Sequence, residues 1–278
     1  MSAKILDGKM IAEKIKEAIK RDIASLGARP TLASVQIGRN PSSLVYLKSQ
    51  KKAALEVGID YEAIGLPEDI SQAEAAELAA KLSGDAKYTA VILQRPLPPA
   101  IDWRALIKII GPGKDAEGVH PENLGRLLSG TGKVGPCTPM AVMAMLEASG
   151  QDLYGKEAVV IGHSDIVGKP LALMLLGKFA TTTVCHIATA ERGLVEGHVR
   201  AAEVVVAAVG KAAVVKGGWI KPGAIVIDVG INHAGGKIVG DVEFDEASGR
   251  ASYITPVPGG VGPVTTAMLM RNVVELAR

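Results

Sequence analysis

Aromatic residues are scarce in this chain, at 3% of 278 residues. Net charge is small as well, because Lys+Arg 31 against Asp+Glu 29 leaves +2. Proteins that bind nucleic acid usually show a basic face interleaved with stacking rings, so both scarcities argue against a nucleic-acid partner. Cysteine is nearly missing: Cys137 and Cys185 are the two in the chain. They are far apart and lack metal-ligand spacing, which predicts reduced buried thiols and no metal site. Long apolar runs are lacking too. Segments such as "VVVAAVG" and "AIVIDVGI" are strand-length, well short of the roughly 20 residues a membrane helix needs. The first residues, "MSAKILDGKMIAEKIKEAIK", carry charges throughout and do not read as a signal peptide. The expectation is a soluble, cytoplasmic protein without a membrane partner.

What is present is an ordinary globular balance, with 48% hydrophobic and 22% charged residues, in a chain long enough for two cores. The first half alternates helical and strand patterns. "MIAEKIKEAIKRDIASL" has the period of an amphipathic helix, "TLASVQIG" that of a strand, "SSLVYLKSQKKAALEVG" and "SQAEAAELAAKLSG" read as helices closed by glycine, and "YTAVILQRP" as a buried strand. Alternation of this kind implies parallel pairing. Residues 111–139 are rich in Gly and Pro, as irregular surface connections are. "MAVMAMLEASG" reads as a helix. "EAVVIGHSDIVGKPLALMLL" then reads as strand, glycine turn and helix, and "TTTVCHI", "EVVVAAVG" and "AIVIDVGIN" add β-type runs. The second half is therefore expected to be a doubly wound α/β unit.

Three stretches carry chemistry. Tyr46 and Gln50 lie one turn apart on one face of a predicted helix, and Lys48, Lys51 and Lys52 point away from that line. Taken alone the segment reads first as a solvated basic helix. Gly162, Ser164 and Gly168 occupy the places of pyrophosphate-binding glycines in a strand-to-helix turn, with stretched spacing and a serine at the middle position. "PVPGGVGPVT", from Pro256, combines glycines that let backbone approach a ligand with prolines that hold the loop in shape, as a preorganised binding wall requires.

With these stretches in view, the chain resembles the methylenetetrahydrofolate dehydrogenase/methenyltetrahydrofolate cyclohydrolase family nearly end to end. The matching segments are "GRNPSSLVYLKSQKKAALEVGI", "ILQRPLP", "GKDAEGVHPENLGRL", "PCTP", "AVVIGHSDIVGKP", "WIKPGAIVIDVGIN", "VGDV" and "YITPVPGGVGPVT". The resemblance implies an α/β folate-binding domain at residues 1–139 and 262–278, a Rossmann domain inserted at 140–261, an active cleft between them, and a homodimer. It implies hydride transfer from 5,10-methylenetetrahydrofolate to NADP, with NAD the alternative cofactor. Tyr46 and Gln94 would meet the folate, with Gln50 the third catalytic position. Glu117, Pro258, Gly259, Gly260, Val261 and Thr265 would complete the substrate side. Gly162, His163, Ser164, Ile166, Val167, Gly168, Arg192, Gly210 and Ile231 would hold the dinucleotide, and Asp228 would orient its pyrophosphate loop.

The chain departs from the family pattern at three substrate-side positions. Gln50 stands where the pattern has its catalytic lysine, Glu117 replaces an aspartate, and Arg95 interrupts a Gln-Leu-Pro-Leu-Pro segment. Arg95 is expected to snorkel to solvent. An amide cannot exchange a proton as an amine does, so cyclohydrolase activity is expected to be weak or absent. The competing readings are a fully bifunctional enzyme, a non-catalytic folate or nucleotide binder, and an enzyme acting on an altered one-carbon carrier. No Asp or Glu closes the second strand of the Rossmann half, and His163 and Arg192 could face a 2′-phosphate, which favours NADP modestly.

Overall fold

The computed structural model describes residues 2–38 and 41–278, with the side chains of 41–45 left aside. The Arg39–Asn40 part of the first matching segment lies outside the described residues. In chain order the elements are β1 (Lys4–Ile5), α1 (Gly8–Ala24), β2 (Thr31–Ile37), α2 (Pro41–Val57), β3 (Asp60–Leu66), α3 (Gln72–Gly84), β4 (Ala90–Leu93), α4 (Trp103–Ile110), α5 (Pro121–Leu128) and α6 (Cys137–Ala148). They continue with β5 (Glu157–Ile161), α7 (Gly168–Leu176), β6 (Thr181–Cys185), α8 (Ile187–Glu191), α9 (Val195–Ala201), β7 (Val204–Ala207) and β8 (Ile225–Asp228). The last are β9 (Asn232–Ala234), β10 (Lys237–Val239), α10 (Phe244–Arg250), β11 (Tyr253–Ile254) and α11 (Val261–Leu276).

The chain divides into two compact units, one of residues 1–13 and 138–265, the other of 14–137 and 266–278. The first thirteen residues thus group with the dinucleotide-type half, where sequence reasoning assigns them to the folate-binding half. The reason is pairing: Lys4 and Ile5 of β1 align in parallel with Tyr253 and Ile254 of β11. Two residues give too short a signal for periodicity to detect.

In the 14–137/266–278 unit, β2 is the middle strand of a parallel sheet ordered β3-β2-β4. Ile19 of α1, Ala54 and Val57 of α2, Leu32 of β2, Ile92 of β4 and Met270 and Val273 of α11 bury into one core. Burial of such side chains contributes roughly 1.5–3 kcal/mol each. In the other unit, six parallel strands run in the order β1-β11-β8-β7-β5-β6. The run of fully buried valines in β7 reflects a sheet covered on both faces. The chain leaves β5 for β6 on one side and returns to β7 on the other, so the order reverses at β5. The crevice outside the carboxyl ends of β5 and β7 is where such sheets receive ligands.

The expected loop at 256–263 is shorter than its Pro/Gly content suggests. Helix α11 begins at Val261, so Gly262 and Pro263 lie in its first turn, where proline costs no helical hydrogen bond. Thr265 Oγ1 donates to the Val261 carbonyl at 3.2 Å, and Val261 is buried.

Candidate functional site

On the sheet of the 14–137/266–278 unit, α2 and the segment after β4 bring polar side chains inward. Gln50 is fully buried, whereas Lys48, Lys51 and Lys52 on the same helix are exposed. The solvated-helix reading therefore fails at Gln50 and holds for the lysines. A buried amide has to be hydrogen-bonded, and this one is. Gln94 Nε2 donates to Gln50 Oε1 at 2.7 Å and to Ser34 Oγ at 2.9 Å. Gln50 Nε2 donates back to Gln94 Oε1 at 3.5 Å, and the Tyr61 hydroxyl donates to Gln50 Oε1 at 3.2 Å. The Tyr46 ring is 38% exposed, but its hydroxyl end reaches inward to Thr266 and Gln50. Burial pushes the Tyr46 phenol well up, and the neighbouring Cys137 thiol and Glu117 carboxyl push it the same way. The chain Ser34–Gln94–Gln50–Tyr61 is neutral throughout. It can hold and orient a ligand, and it contains no amine to exchange protons.

Glu117 stands beside this group on the loop between α4 and α5. Its position follows from Asp115, which is fully buried and accepts from the backbone N–H groups of Gly118 at 3.0 Å and His120 at 2.7 Å and from Asn123 Nδ2 at 2.9 Å. Asn272 of α11 donates through Nδ2 to the carbonyls of Ala116 at 2.9 Å and Gly135 at 2.8 Å. Arg95 does not snorkel. Its Nη2 donates to Glu117 Oε1 at 2.6 Å and its guanidinium lies 5.1 Å from the Trp103 ring centre, since pairing with a half-buried carboxylate competes with hydration. Burial pushes the Glu117 carboxyl up, with Arg95 opposing and Asp115 adding to the rise. Cys137, at the start of α6, is driven well above the usual thiol range by burial, then by Glu117 and Asp115.

In the other unit, a cavity of about 670 Å³ opens at the ends of β5, β6 and β7, lined among others by Gly162, His163, Ser164, His186, Ile187 and Lys211. Gly162 has φ 120, and a Cβ there would lie 2.3 Å from the Ala208 carbonyl oxygen. A Cβ on Gly168 would lie 2.0 Å from the Gly162 carbonyl oxygen. Only glycine lets the end of β5, the loop after β7 and the start of α7 approach so closely. Ser164 Oγ accepts from the Val167 N–H at 3.2 Å, which shapes the turn through Ile166 and Val167 into α7. No side chain caps α7 at Val167; the Lys169 N–H donates to the Ser164 carbonyl at 3.1 Å. Cavity size, close-approach glycines and helix start together fit a dinucleotide.

Arg192 is an exposed residue at the C-terminal end of α8, and the basic groups lining the cavity are His163, His186 and Lys211. Ile231 is 63% exposed. One expectation for this unit is corrected. Asp228 does not touch the 164–168 turn: Oδ1 accepts from the N–H groups of Gly230 at 3.0 Å and Asp241 at 2.9 Å, and Oδ2 from Val242 at 2.9 Å. Burial pushes the Asp228 carboxyl up to about 6, partly offset by those three donors.

Sequence reasoning missed Asp241. Its Oδ2 accepts from the Val209 and Gly210 N–H groups at 2.7 and 3.0 Å, and its Oδ1 from the Lys211 N–H and Asn232 Nδ2, both at 2.9 Å. It thereby fixes the loop that carries Val209 and Lys211 into the cavity wall, with Gly210 between them. The only signal for it was its place in the "VGDV" segment. Pro258, Gly259, Gly260 and Val261 form the approach to α11 in this unit, and the Gly8 N–H donates to the Gly259 carbonyl at 3.0 Å.

Comparison with known proteins agrees with this geometry. Residues 6–117 match the family model "Tetrahydrofolate dehydrogenase/cyclohydrolase, catalytic domain", and residues 136–278 match "Tetrahydrofolate dehydrogenase/cyclohydrolase, NAD(P)-binding domain". The "Bifunctional protein FolD" of Geotalea uraniireducens is 49% identical over 280 residues, covering 99% of both chains. The solved bifunctional FolD of Campylobacter jejuni superposes with a TM-score of 0.95 at 44% identity, covering 99% of both chains. The FolD of Trypanosoma brucei, solved in complex with NADP cofactor and inhibitor, gives a TM-score of 0.94 at 38% identity, over 100% of this chain and 98% of that one. A two-unit α/β chain with a buried amide cluster on one sheet and a glycine-turn cavity on the other, matched from end to end in this way, belongs to the tetrahydrofolate dehydrogenase/cyclohydrolase family.

Proposed function

We propose that this protein oxidises 5,10-methylenetetrahydrofolate to 5,10-methenyltetrahydrofolate with NADP, and that it hydrolyses the methenyl product poorly. The observation that carries the reading is the buried, neutral Gln50–Gln94 pair in a chain of this family. NADP, when bound, supplies the hydride acceptor. Gly162, Ser164 and Gly168 would hold its pyrophosphate, and His163, His186 and Lys211, which line the cavity, would favour a 2′-phosphate. The fit of that cavity and the NADP of the Trypanosoma brucei relative support this choice. On the folate side, Tyr46 would stack on the ring system, Gln50 and Gln94 would hydrogen-bond near the reacting carbon, and Glu117 would accept from ring N–H groups. Pro258, Gly259, Gly260, Val261 and Thr265 would border the substrate, and Gly210 would serve the cofactor through the loop fixed by Asp241.

Hydride transfer needs alignment of donor and acceptor more than it needs a proton carrier. Gln50 meets that need, since Gln94, Tyr61 and Tyr46 hold it in place. Hydrolysis needs an activated water and proton movement, for which positioned acid–base groups supply roughly 10²–10⁴-fold. Gln50 cannot titrate, and the exposed Lys48, Lys51 and Lys52 point away from it. The relatives named bifunctional give no direct support to this second clause, which rests on Gln50 alone. A cofactor-by-substrate assay on purified protein tests the whole: reduction of NADP by methylenetetrahydrofolate is expected, and folate binding without turnover would replace the reading with a non-catalytic binder. A homodimer in solution is proposed from the family resemblance, and sedimentation at assay concentration tests it.

A further inference from the structure

Resting on that reading, we propose that Arg95 is a positioning residue for Glu117: it clamps one carboxylate oxygen so that the other is presented as an acceptor to the N–H groups of the folate ring. The ion pair is short, 2.6 Å from Arg95 Nη2 to Glu117 Oε1, with side-chain exposures of 25% and 19%. Both partners are anchored from behind. The guanidinium lies over Trp103, whose ring is also 5.0 Å from the Arg104 guanidinium, a contact that fixes an otherwise rotamer-rich side chain. Glu117 sits on a backbone held by the Ala116 N–H to the Val91 carbonyl at 3.1 Å, by Asn272 and by the Asp115 turn. Among the described residues, Glu117 Oε2 accepts no hydrogen bond.

Arg95 and Glu117 are therefore one feature. A glutamate reaches one methylene farther than an aspartate and has one more torsion to order. A bound guanidinium removes that freedom through a directional, charge-assisted bond. The ionisable groups around Glu117 are Arg95 from the segment after β4, Asp115 from its own loop, Cys137 from α6 and Tyr46 from α2. Of these, Arg95 is the cation. Burial and Asp115 raise the Glu117 carboxyl while Arg95 lowers it, so without Arg95 it would bind a proton over a wider range as pH falls and lose its power to accept from a ring N–H.

The test compares wild type, Arg95→Leu, Glu117→Gln and the double variant, full-length, by folate KM and kcat from about pH 6 to about pH 8.5, together with tetrahydrofolate binding followed by tryptophan fluorescence. Arg95→Leu is expected to raise folate KM about tenfold near pH 6, with kcat changed less than about threefold and the KM for NADP unchanged, as loss of a ground-state contact requires. That penalty should shrink as pH rises. In the Glu117→Gln background, Arg95→Leu should add less than about twofold, because the two act as one unit. Should Arg95→Leu fail to fold, Arg95→Gln carries the same expectations. A KM rise that is equal at every pH, or equal in the Glu117→Gln background, overturns the proposal and leaves Arg95 as packing for Trp103. Wild type that neither binds tetrahydrofolate nor turns over overturns the functional reading and this proposal together. Wild type that turns over with a flat Arg95→Leu profile overturns this proposal alone.

Discussion

The proposed separation of two activities turns on one buried side chain, Gln50. Its amide is held by Gln94 and Tyr61 at 2.7 and 3.2 Å, so it aligns a ligand but carries no transferable charge. Gln50→Lys places an amine where burial lowers its pKa toward neutrality, and methenyltetrahydrofolate decay should rise at least about tenfold, the lower part of what a positioned acid–base group supplies. The variant should also melt lower, because Gln94 Nε2 and the Tyr61 hydroxyl lose the Gln50 Oε1 acceptor. Asp228 makes a second residue-scale prediction. The unfolded carboxyl releases its proton near 3.8 and the folded one near about 6, so between those values the folded state binds more protons and stability falls as pH rises through this group. Asp228→Asn turns an acceptor toward the N–H of Val242 or of Gly230 and Asp241 into a donor, at a cost of about 1–3 kcal/mol. Urea melts should show that cost larger near pH 4 than near pH 7, since only the wild type loses stability between them.

Among the elements, those with uninterrupted burial were legible and those shaped by tertiary contacts were not. β5, β7 and β8 are short apolar runs with buried residues throughout or nearly so, and the sequence pattern marks them. β3 alternates half-buried and exposed residues at the edge of its sheet, and its "DYEAIGL" carries no comparable signal. The Tyr46–Gln50 face is visible because it spans one helical turn. The Arg95–Glu117 pair joins positions 22 residues apart, and Asp241 reaches back 30 residues or more to the Val209–Lys211 loop; periodicity cannot see either. The turn from β5 into α7 was legible through its glycines, and its tolerance can be tested. Gly168→Ala puts a Cβ 2.0 Å from the backbone oxygen of Gly162, which no rotamer relieves. NADP affinity should fall at least about tenfold, about 1.4 kcal/mol, with folate binding little changed; calorimetric titration of each ligand checks it.

Over the whole molecule, the division between the units falls inside α1 and inside α11. Asn272, in the second part of α11, ties the backbone on both sides of the Glu117 loop, while the Pro258–Gly260 turn precedes the first part. Cofactor preference is a property of the assembled cavity: with Ile187 in the wall and His163, His186 and Lys211 around it, kcat/KM should favour NADP over NAD by only about tenfold, the scale of a single modest contact. A strong NAD preference would oppose that assignment. The central claim is dehydrogenase chemistry uncoupled from hydrolysis by Gln50, and the most direct measurement follows NADPH and methenyltetrahydrofolate together during turnover of methylenetetrahydrofolate, in a buffer that does not itself catalyse hydrolysis. The account predicts that methenyltetrahydrofolate accumulates nearly mole for mole with NADPH. NADPH formed while the methenyl form stays low, in wild type and equally in Gln50→Ala, would contradict it.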